Sequence, residues 1–450
     1  MPDTKLHTLK TIVEKYKQDH ILEHYDTLTT ARKDKLLEQI QTIDFAGLHE
    51  LYTHSGANEE VKALDVAPLS VPGWNELAAD RGSLEKTGWE LLREGRVAAL
   101  LVAGGQGSRL GHSGPKGTFD IGLPSHKSLF QLQAERLLNL GRRAGTVIPW
   151  CIMTSPGNHA DTVNFFAQHN YFGYDQDQLF FFNQAVIPAL DQDGKMILET
   201  PWRICSVPNG TGGCIPALRS SGIMDKLKER GVEWFFYYNV DNALIKIADP
   251  QFIGFAHAAG QPIACKVVEK RDADEKIGVV CLQDGRPSVV EYSDFSEQLK
   301  QQRDCKTGQL VFGSGNISIH LFHLRFLEEA SQQKLVHKAV QKEVQTDWGP
   351  VLAYKYEAFI FDLFEYASGM SLVRVDREEE FAPVKNSASP DSPGEARELV
   401  LNLHRKWFEK LGAPENLIKG REIEVSPLTS YDGEGLVTGM LDNQENPLLI

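Results

Sequence analysis

A glycine-rich stretch followed by two basic residues is the part of this sequence best suited to chemistry. An apolar run, residues 97–103, leads directly into Gly104-Gly105-Gln106-Gly107. Glycines lack a Cβ atom, so their backbone amides can approach a phosphate closely. Arg109 and Lys116 follow, and their charges could neutralise the phosphate that the amides orient. The pattern therefore indicates a phosphate-binding loop.

Two common phosphate-binding loops do not fit this spacing. A dinucleotide-binding fingerprint needs glycine or alanine three residues after Gly107, where this chain has Leu110. A P-loop needs glycine before its lysine and serine or threonine after it, whereas Lys116 is flanked by Pro115 and Gly117. An ordinary glycine-rich turn between a strand and a helix is the alternative interpretation.

A carboxylate ends a second strand-like run, residues 234–240. This carboxylate belongs to Asp241, which Asn242 follows. Mg²⁺ prefers one or two carboxylates together with phosphate oxygens, so an aspartate facing a phosphate-binding loop is a suitable metal ligand. A turn or helix cap formed by the Asp-Asn pair is the alternative. The glycine loop favours the metal interpretation.

Two further segments carry weaker signals. Residues 208–213 form a second glycine cluster at the start of a predicted helix, where free backbone groups could lie against a base or a sugar. Taken alone, this cluster is better explained as a plain turn. Lys385 follows Pro383 by two residues and could extend a charge to a phosphate, and a solvent-exposed surface lysine is the alternative.

The sequence lacks the motifs of covalent catalysis. No serine, cysteine or histidine lies in a recognisable nucleophile motif, and no pair of carboxylates has the spacing of a glycosidase. Direct attack on the phosphorus of a nucleotide needs no covalent enzyme intermediate. We therefore expect alignment and charge neutralisation to carry the rate.

Length, composition and charge limit the class of protein. The 450 residues suggest two or three units, and 42% hydrophobic with 24% charged residues is typical of a globular protein. A net charge of −14 argues against nucleic acid as a partner, because polyphosphate backbones attract clustered lysine and arginine. No run is long and apolar enough to predict a membrane span. The oligomeric state is not fixed by the sequence, which is compatible with a monomer.

The cysteines indicate a reducing compartment. The six cysteines include no C-x-x-C pair, and most lie in apolar runs typical of buried strands. Reduced core cysteines are therefore favoured over disulfides or a zinc site. The N-terminus shows no apolar segment of a secretory signal. These features predict a cytoplasmic location.

The order of apolar patterns predicts an α/β fold. We expect a Rossmann-like mixed, mainly parallel sheet flanked by helices, with an N-terminal helical region (residues 1–95), a catalytic domain (96–391) and a C-terminal region (392–450). Helices are predicted over residues 1–62, 83–95, 129–140, 215–228 and 395–411. Strands are predicted over residues 97–103, 147–153, 179–182, 234–240, 263–269, 277–282, 288–292 and 309–311. Ligands of such sheets bind at the carboxyl ends of strands, where both the glycine loop and Asp241 lie.

Long blocks of the chain resemble the eukaryotic-type UDP-N-acetylglucosamine pyrophosphorylases, a family of UDP-sugar pyrophosphorylases. The resemblance runs from about residue 97 almost to the end, and the helical front matches more loosely. The blocks that carry it include LVAGGQGSRLG, GPKGTFDIGLPSHKSLFQLQAERL, YYNVDNALIKIADPQFIGF, GSGNISIH, REEEFAPVKNS and EVSPLTSYDGEGL.

The resemblance implies a reaction and a set of site residues. The reaction is the reversible, Mg²⁺-dependent conversion of UTP and N-acetylglucosamine 1-phosphate to UDP-N-acetylglucosamine and pyrophosphate. It implies that Arg109 holds the departing pyrophosphate, that Lys116 and Lys385 neutralise the phosphates, and that Asp241 binds the metal. The implied nucleotide-binding residues are Ala103, Gly104, Gly105, Gln184, Gly210 and Asp241. The implied sugar-binding residues are Thr211, Gly278, Glu291, Tyr292, Asn316 and Lys355, the last lying near the phosphates.

One position departs from the family pattern. Members that use N-acetylglucosamine usually show G-N-G-G where this chain has Gly210-Thr211-Gly212-Gly213. A hydroxyl cannot supply both a donor amide and an acceptor carbonyl at the same reach. A UDP-glucose or broad UDP-sugar pyrophosphorylase is therefore one alternative. A non-catalytic sensor of nucleotide sugars is another, although retention of the leaving-group and metal positions speaks against it.

Overall fold

The computed structural model describes residues 2–55, 65–443 and 445–450, and these form two compact units. The smaller unit contains the described residues of Met1–Ala63 together with Gln184–Cys214 and Lys334–Leu363. The larger unit contains those of Leu64–Asn183, Ile215–Gln333 and Phe364–Ile450. The linear domain boundaries at residues 95 and 391 stay predictions.

A ten-stranded sheet forms the centre of the larger unit. Its main path runs in the order Val66–Ala67, Val279–Gln283, Ser314–His323, Trp234–Asn239, Val97–Val102, Trp150–Thr154 and Leu179–Asn183. Ile263–Glu269 pairs with Ser314–His323 and Met370–Arg374, and Arg286–Val290 pairs with Val279–Gln283. The predicted mixed sheet is confirmed: four strands from Trp234–Asn239 to Leu179–Asn183 are parallel, and Ser314–His323 joins them antiparallel.

Continuous apolar runs explain the parallel half of the sheet. Val97–Val102 is buried over its first five residues, and Trp150–Thr154 is buried throughout. Strands covered by helices on both faces lose the alternation of apolar and polar residues that a solvent-exposed face produces. Their apolar side chains form one core with aromatic residues such as Phe166 and Phe252. Successive residues of a strand point to opposite faces, so both faces of this part of the sheet are buried.

The helices predicted over residues 83–95, 129–140 and 395–411 are confirmed, with small shifts of their ends, as Arg81–Arg93, Leu129–Ala144 and Pro393–Lys410. The helix Leu129–Ala144 begins after Ser128, whose hydroxyl accepts a hydrogen bond from the Gln131 amide, and ends at Gly145 with φ +72°. The other helices of this unit are Arg81–Arg93, His159–Gln168, Ile223–Glu229, Pro250–Ala259, Glu297–Gln301, Leu324–Ala330, Arg377–Glu380, Pro393–Lys410 and Glu415–Ile418. Near the C-terminus, Ile423–Glu424 pairs in parallel with Leu448–Leu449.

Two sequence predictions in this region were wrong. The helix predicted over residues 215–228 is two helices, Cys214–Ser220 and Ile223–Glu229, because Gly222 adopts a left-handed φ of +73° between them. Residues 309–311 do not form a strand. The strand lies further on, at Ser314–His323.

The smaller unit contains the predicted N-terminal helices. Among the described residues these are Pro2–Lys15, Thr30–Thr42 and Phe45–Ser55, and residues 56–62 of the predicted helical region lie outside the described ones. Leu36, Leu37 and Ile40 form a core with Leu190 and Tyr356. Three hairpins complete this unit: Val186–Pro188 with Ser206–Pro208, Leu198–Thr200 with Arg203–Ile204, and Lys338–Thr346 with Gly349–Glu357.

The six cysteines are free, as predicted, and five of them are buried. Cys305 is exposed. Within the described ranges, no helix combines the length and the apolar composition that crossing a membrane requires.

Two glycines allow close packing between a pair of helices. In Arg81–Arg93, a Cβ on Gly88 would lie 1.7 Å from the carbonyl oxygen of Pro250. In Pro250–Ala259, a Cβ on Gly254 would lie 1.8 Å from the carbonyl oxygen of Leu84. Both obstacles are backbone atoms, so neither can move aside without moving its helix.

Replacing Gly88 by alanine is expected to lower the free energy of unfolding by about 2–3 kcal/mol, because overpacking against backbone forces the helices apart. Gly82→Ala is the matched control in the same helix, since no atom lies within 4 Å of its Cβ position. This control is expected to be neutral or slightly stabilising. Thermal unfolding of both variants checks the pair, and equal effects would contradict the packing argument.

Candidate active site

The predicted phosphate-binding loop lies at the carboxyl end of strand Val97–Val102 and folds back on itself. The Gly107 amide donates to the carbonyl oxygen of Gly114 over 3.0 Å, and the Lys116 amide donates to that of Gly105 over 3.1 Å. A Cβ on Gly107 would lie 2.8 Å from His112, so the tight fold needs glycine there. No atom lies within 4 Å of the Cβ position of Gly105, which leaves room for a ligand against the backbone.

A residue that the sequence analysis missed supports this loop. Asn158 is buried, and its side-chain amide donates to the carbonyl oxygens of Ala103 at 2.9 Å and Gly105 at 3.3 Å. Asn158 follows the neighbouring strand Trp150–Thr154 by four residues. A polar residue shortly after the next parallel strand was the signal that could have found it.

Lys116 and Asp241 lie side by side. The Lys116 Nζ atom is 3.4 Å from Asp241 Oδ2, and both side chains are less than one-fifth exposed. Their strands are parallel neighbours, with Val102 opposite Asn239, so the segments that follow lie at the same edge of the sheet. The structure thus brings the glycine loop, a cation and a carboxylate together.

Arg109 lies in the short 3₁₀ turn Ser108–Leu110 and is exposed. Its guanidinium forms no hydrogen bond or ion pair with any residue in the part of the chain that the structure describes. Arg109 therefore differs from Lys116, whose charge is balanced by a carboxylate.

The residue before Lys385 is hydrogen-bonded to the backbone of Asp241. The Val384 amide donates to the backbone carbonyl of Asp241 over 2.9 Å. The Lys385 amide donates to the carbonyl of Asp391 over 2.8 Å, and its Nζ atom is 3.7 Å from Asp391 Oδ2. The Lys385 side chain is about half exposed, which leaves its charge accessible to a phosphate.

A buried cluster of charges holds the segment that leads to Lys385. Lys266 is fully buried, and its Nζ atom is 2.6 Å from Asp249 Oδ2 and 2.5 Å from Glu380 Oε2. Burial alone lowers the pKa of Lys266, but the two carboxylates outweigh it and hold this pKa above its usual value. Separating a buried ion pair is strongly destabilising, because it leaves a buried charge without a partner. The ion pair with Lys266 therefore holds Glu380 in place.

Four of the predicted sugar-binding residues belong to the larger unit, and three of them lie close together. The Asn316 amide donates to the carbonyl oxygen of Gly278 over 2.8 Å. A Cβ on Gly278 would lie 3.7 Å from Glu291 Oε1. Tyr292 is the next residue after Glu291 and is half-buried. Asn316 belongs to the strand Ser314–His323 that the sequence analysis did not predict.

The remaining predicted site residues belong to the smaller unit. Gln184 is buried, and its side-chain amide donates to the carbonyl oxygen of Gly210 over 2.6 Å. Gly210 has φ +84°, and a Cβ there would lie 2.1 Å from the carbonyl oxygen of Ala358. The Thr211 hydroxyl accepts a hydrogen bond from the Ile360 amide at 3.1 Å. Lys355 lies in the hairpin strand Gly349–Glu357, opposite Val340.

The chain matches a known protein family over most of its length. Residues 43–420 match the family model described as UTP–glucose-1-phosphate uridylyltransferase. UDP-N-acetylglucosamine diphosphorylase 2 of Arabidopsis thaliana is 37% identical over 94% of this chain and 89% of its own length. UDP-N-acetylglucosamine pyrophosphorylase of Saccharomyces cerevisiae is 36% identical over 93% and 91%.

A solved structure supports the same assignment. The crystal structure of the uridine diphosphate N-acetylglucosamine pyrophosphorylase from Trypanosoma brucei, in complex with an inhibitor, superposes with a TM-score of 0.87 at 29% identity. It covers 99% of this chain and 98% of the trypanosomal chain. On these matches and this geometry, the chain belongs to the UDP-N-acetylglucosamine pyrophosphorylases within the UTP–glucose-1-phosphate uridylyltransferase family.

Proposed function

We propose that this chain is a uridylyltransferase that converts UTP and N-acetylglucosamine 1-phosphate to UDP-N-acetylglucosamine and pyrophosphate, reversibly. The observation that carries the proposal is the approach of Lys116 to Asp241 beside the glycine loop. The names of relatives that match over nine-tenths of the chain support the same reaction. A cytoplasmic location stays a prediction.

We propose that the uridylyl group is transferred by direct attack, with basic side chains neutralising the phosphates. A phosphate oxygen of the sugar 1-phosphate attacks the α-phosphorus of UTP. The bond from that phosphorus to the oxygen that bridges it to the β-phosphorus breaks, and this oxygen leaves with pyrophosphate. In our proposal Lys116 neutralises the α-phosphate, Arg109 receives the charge that develops on pyrophosphate, and Lys385 orients the incoming phosphate. Preorganised cations of this kind lower the barrier without a covalent intermediate.

Asp241 suits a divalent cation that is shared with the substrate. Within the described residues, no group of three or more histidine, cysteine, aspartate or glutamate side chains could hold a metal ion. A single carboxylate fits Mg²⁺, which takes its other ligands from phosphates and water. Bound there, Mg²⁺ would supply charge neutralisation at the phosphates.

We propose the remaining residues as substrate contacts. Ala103, Gly104 and Gly105 would bind the nucleotide through backbone atoms, and Gln184 and Gly210 would contact the uracil. The proposed sugar contacts are Thr211, Gly278, Glu291, Tyr292, Asn316 and Lys355. A broader UDP-sugar pyrophosphorylase is the second candidate. Thr211 stands where members of the family that use N-acetylglucosamine 1-phosphate usually have asparagine.

Pyrophosphate release measured across a panel of sugar 1-phosphates tests the proposal directly. With UTP and Mg²⁺, we expect release only when a suitable sugar 1-phosphate is added, and fastest with N-acetylglucosamine 1-phosphate. Release with glucose 1-phosphate at an equal rate would favour the broader enzyme. No release with any sugar of the panel would sink the proposal.

Lys116→Ala is expected to lower kcat at least about 100-fold, which is typical of losing one charge that stabilises a transition state. Lys86→Ala is the control, since Lys86 is 77% exposed. Its activity is expected to equal that of the wild type. A Lys116→Ala variant that folds and keeps wild-type turnover would contradict the role of this lysine.

Thr211→Asn is expected to shift selectivity towards the N-acetylated sugar. Asparagine can restore an amide donor to that position, and one added hydrogen bond is worth about 1 kcal/mol. The ratio of kcat/KM for N-acetylglucosamine 1-phosphate to that for glucose 1-phosphate should rise about 3- to 10-fold. Thr211→Ser is the matched control, because it keeps the hydroxyl that binds the Ile360 amide. An unchanged ratio in Thr211→Asn would remove this residue from the sugar contacts.

A further inference from the structure

Asn242 is buried between the segment that carries Asp241 and the segment that carries Lys385. It is only 4% exposed. Its side-chain amide donates to the backbone carbonyl of Glu380 over 2.7 Å. Its side-chain oxygen accepts from the Ala382 amide at 2.9 Å. One side chain therefore binds the backbone of the second segment through both of its polar atoms.

Backbone pairing continues this link on both sides. The Ala243 amide donates to the carbonyl of Ala382 over 3.0 Å, and the Val384 amide donates to that of Asp241 over 2.9 Å. Asn242 and Pro383 thus form an isolated antiparallel bridge. The Asn242 side chain binds the Glu380 carbonyl and the Ala382 amide, which these two backbone bonds do not use.

The first segment is itself fixed to a helix. From Leu129–Ala144, the Gln133 amide group donates to the carbonyl of Val240 at 2.9 Å, and Arg136 donates to that of Ala243 at 2.7 Å. The turn of Asp241 therefore has one rigid support on the helix. The segment of residues 380–385 is held by the Asn242 side chain and the buried Lys266, in addition to the two backbone bonds and the burial of Ala382 and Val384.

We propose that Asn242 is a positioning residue, which fixes the segment of Lys385 to the turn of Asp241 and so sets the separation of these two charged groups. The proposal rests on the proposed function for its kinetic consequence, and on the hydrogen bonds alone for its structural one. Asn242 itself touches no reacting atom in this assignment. Its effect on turnover passes through Lys385.

Two variants separate the parts of this link. Asn242→Asp keeps an oxygen that can accept from Ala382 but loses the donor to Glu380. Asn242→Ala loses both and adds no charge beside Asp241. Asn139→Ala is the matched control: Asn139 is buried, and its amide donates to the carbonyl of Pro427 over 2.8 Å. It lies in the same supporting helix, and among the described residues its hydrogen bonds run to Pro427 and Leu428, not to either segment of the link.

Hydrogen exchange tests the structural part without reference to activity. In the full-length Asn242 variants, amides of peptides that cover residues 381–386 should exchange about tenfold faster than in the wild type, because local opening becomes easier. In Asn139→Ala, exchange of these amides should stay within about twofold of the wild-type rate. Unchanged exchange in both Asn242 variants would overturn the proposal, whether or not the wild type is active.

A double-mutant cycle tests the kinetic part. Asn242→Ala should lower kcat about 30-fold with little change in the KM for UTP, because alignment is lost and ground-state binding is kept. In a Lys385→Ala background the same change should cost less than about threefold, since no positioned lysine is left to misplace. Equal losses in the two backgrounds would overturn the positioning role. A wild type that releases no pyrophosphate would instead sink the proposed function, and hydrogen exchange would still decide the structural link.

Discussion

The parallel pairing of Val97–Val102 with Trp234–Asn239 is the constraint on which the rest of the site depends. Val102 lies opposite Asn239, so the glycine loop and the turn of Asp241 begin side by side. The register is specified by burial, because Leu101 and Tyr238 are fully buried opposite one another. A slip by one residue would turn every side chain of a strand to the other face. The hydrophobic core thus sets the distance between the loop and the carboxylate.

The turn after the second strand is then fixed by its carbonyl groups. The carbonyls of Val240, Asp241 and Ala243 accept from Gln133, from the Val384 amide and from Arg136. A buried carbonyl without a hydrogen-bond partner lowers stability. These three bonds therefore both satisfy the carbonyls and fix the conformation of the turn. In our proposal Asp241 is a metal ligand, and a turn held in this way keeps its carboxylate oriented for the ion.

Local pattern was enough to predict the framework, but not its tertiary supports. The strands Val97–Val102 and Trp150–Thr154 are almost entirely apolar, and their approximate positions followed from this local pattern. Ser314–His323 was missed because glycine and polar residues interrupt its start. There Gly315 accommodates Ile277, whose Cδ1 atom would lie 3.0 Å from a Cβ. That requirement comes from a neighbouring segment and leaves no periodic signal in the strand itself.

The candidate site shows the same division. The closeness of Lys116 and Asp241 followed from the rule that ligands gather at the carboxyl ends of parallel strands. Gln133 could not be found from spacing, because a buried amide that satisfies a carbonyl belongs to no motif. Nor does any local pattern connect Leu190 and Tyr356 with the N-terminal helices whose core they share. Such contacts depend on chain segments that are distant in sequence.

The three basic side chains of the candidate site differ in whether they form an ion pair. This difference bears on whether the chain is an enzyme or a sensor of nucleotide sugars. Lys116 is balanced by Asp241 and Lys385 lies near Asp391, whereas Arg109 has no ionic partner among the described residues. A protein that only binds a UDP-sugar gains nothing from the role that we propose for Arg109 towards a departing pyrophosphate, since interactions made only in the transition state raise turnover and not affinity. An exposed arginine beside the phosphate loop is therefore better explained by group transfer than by recognition alone.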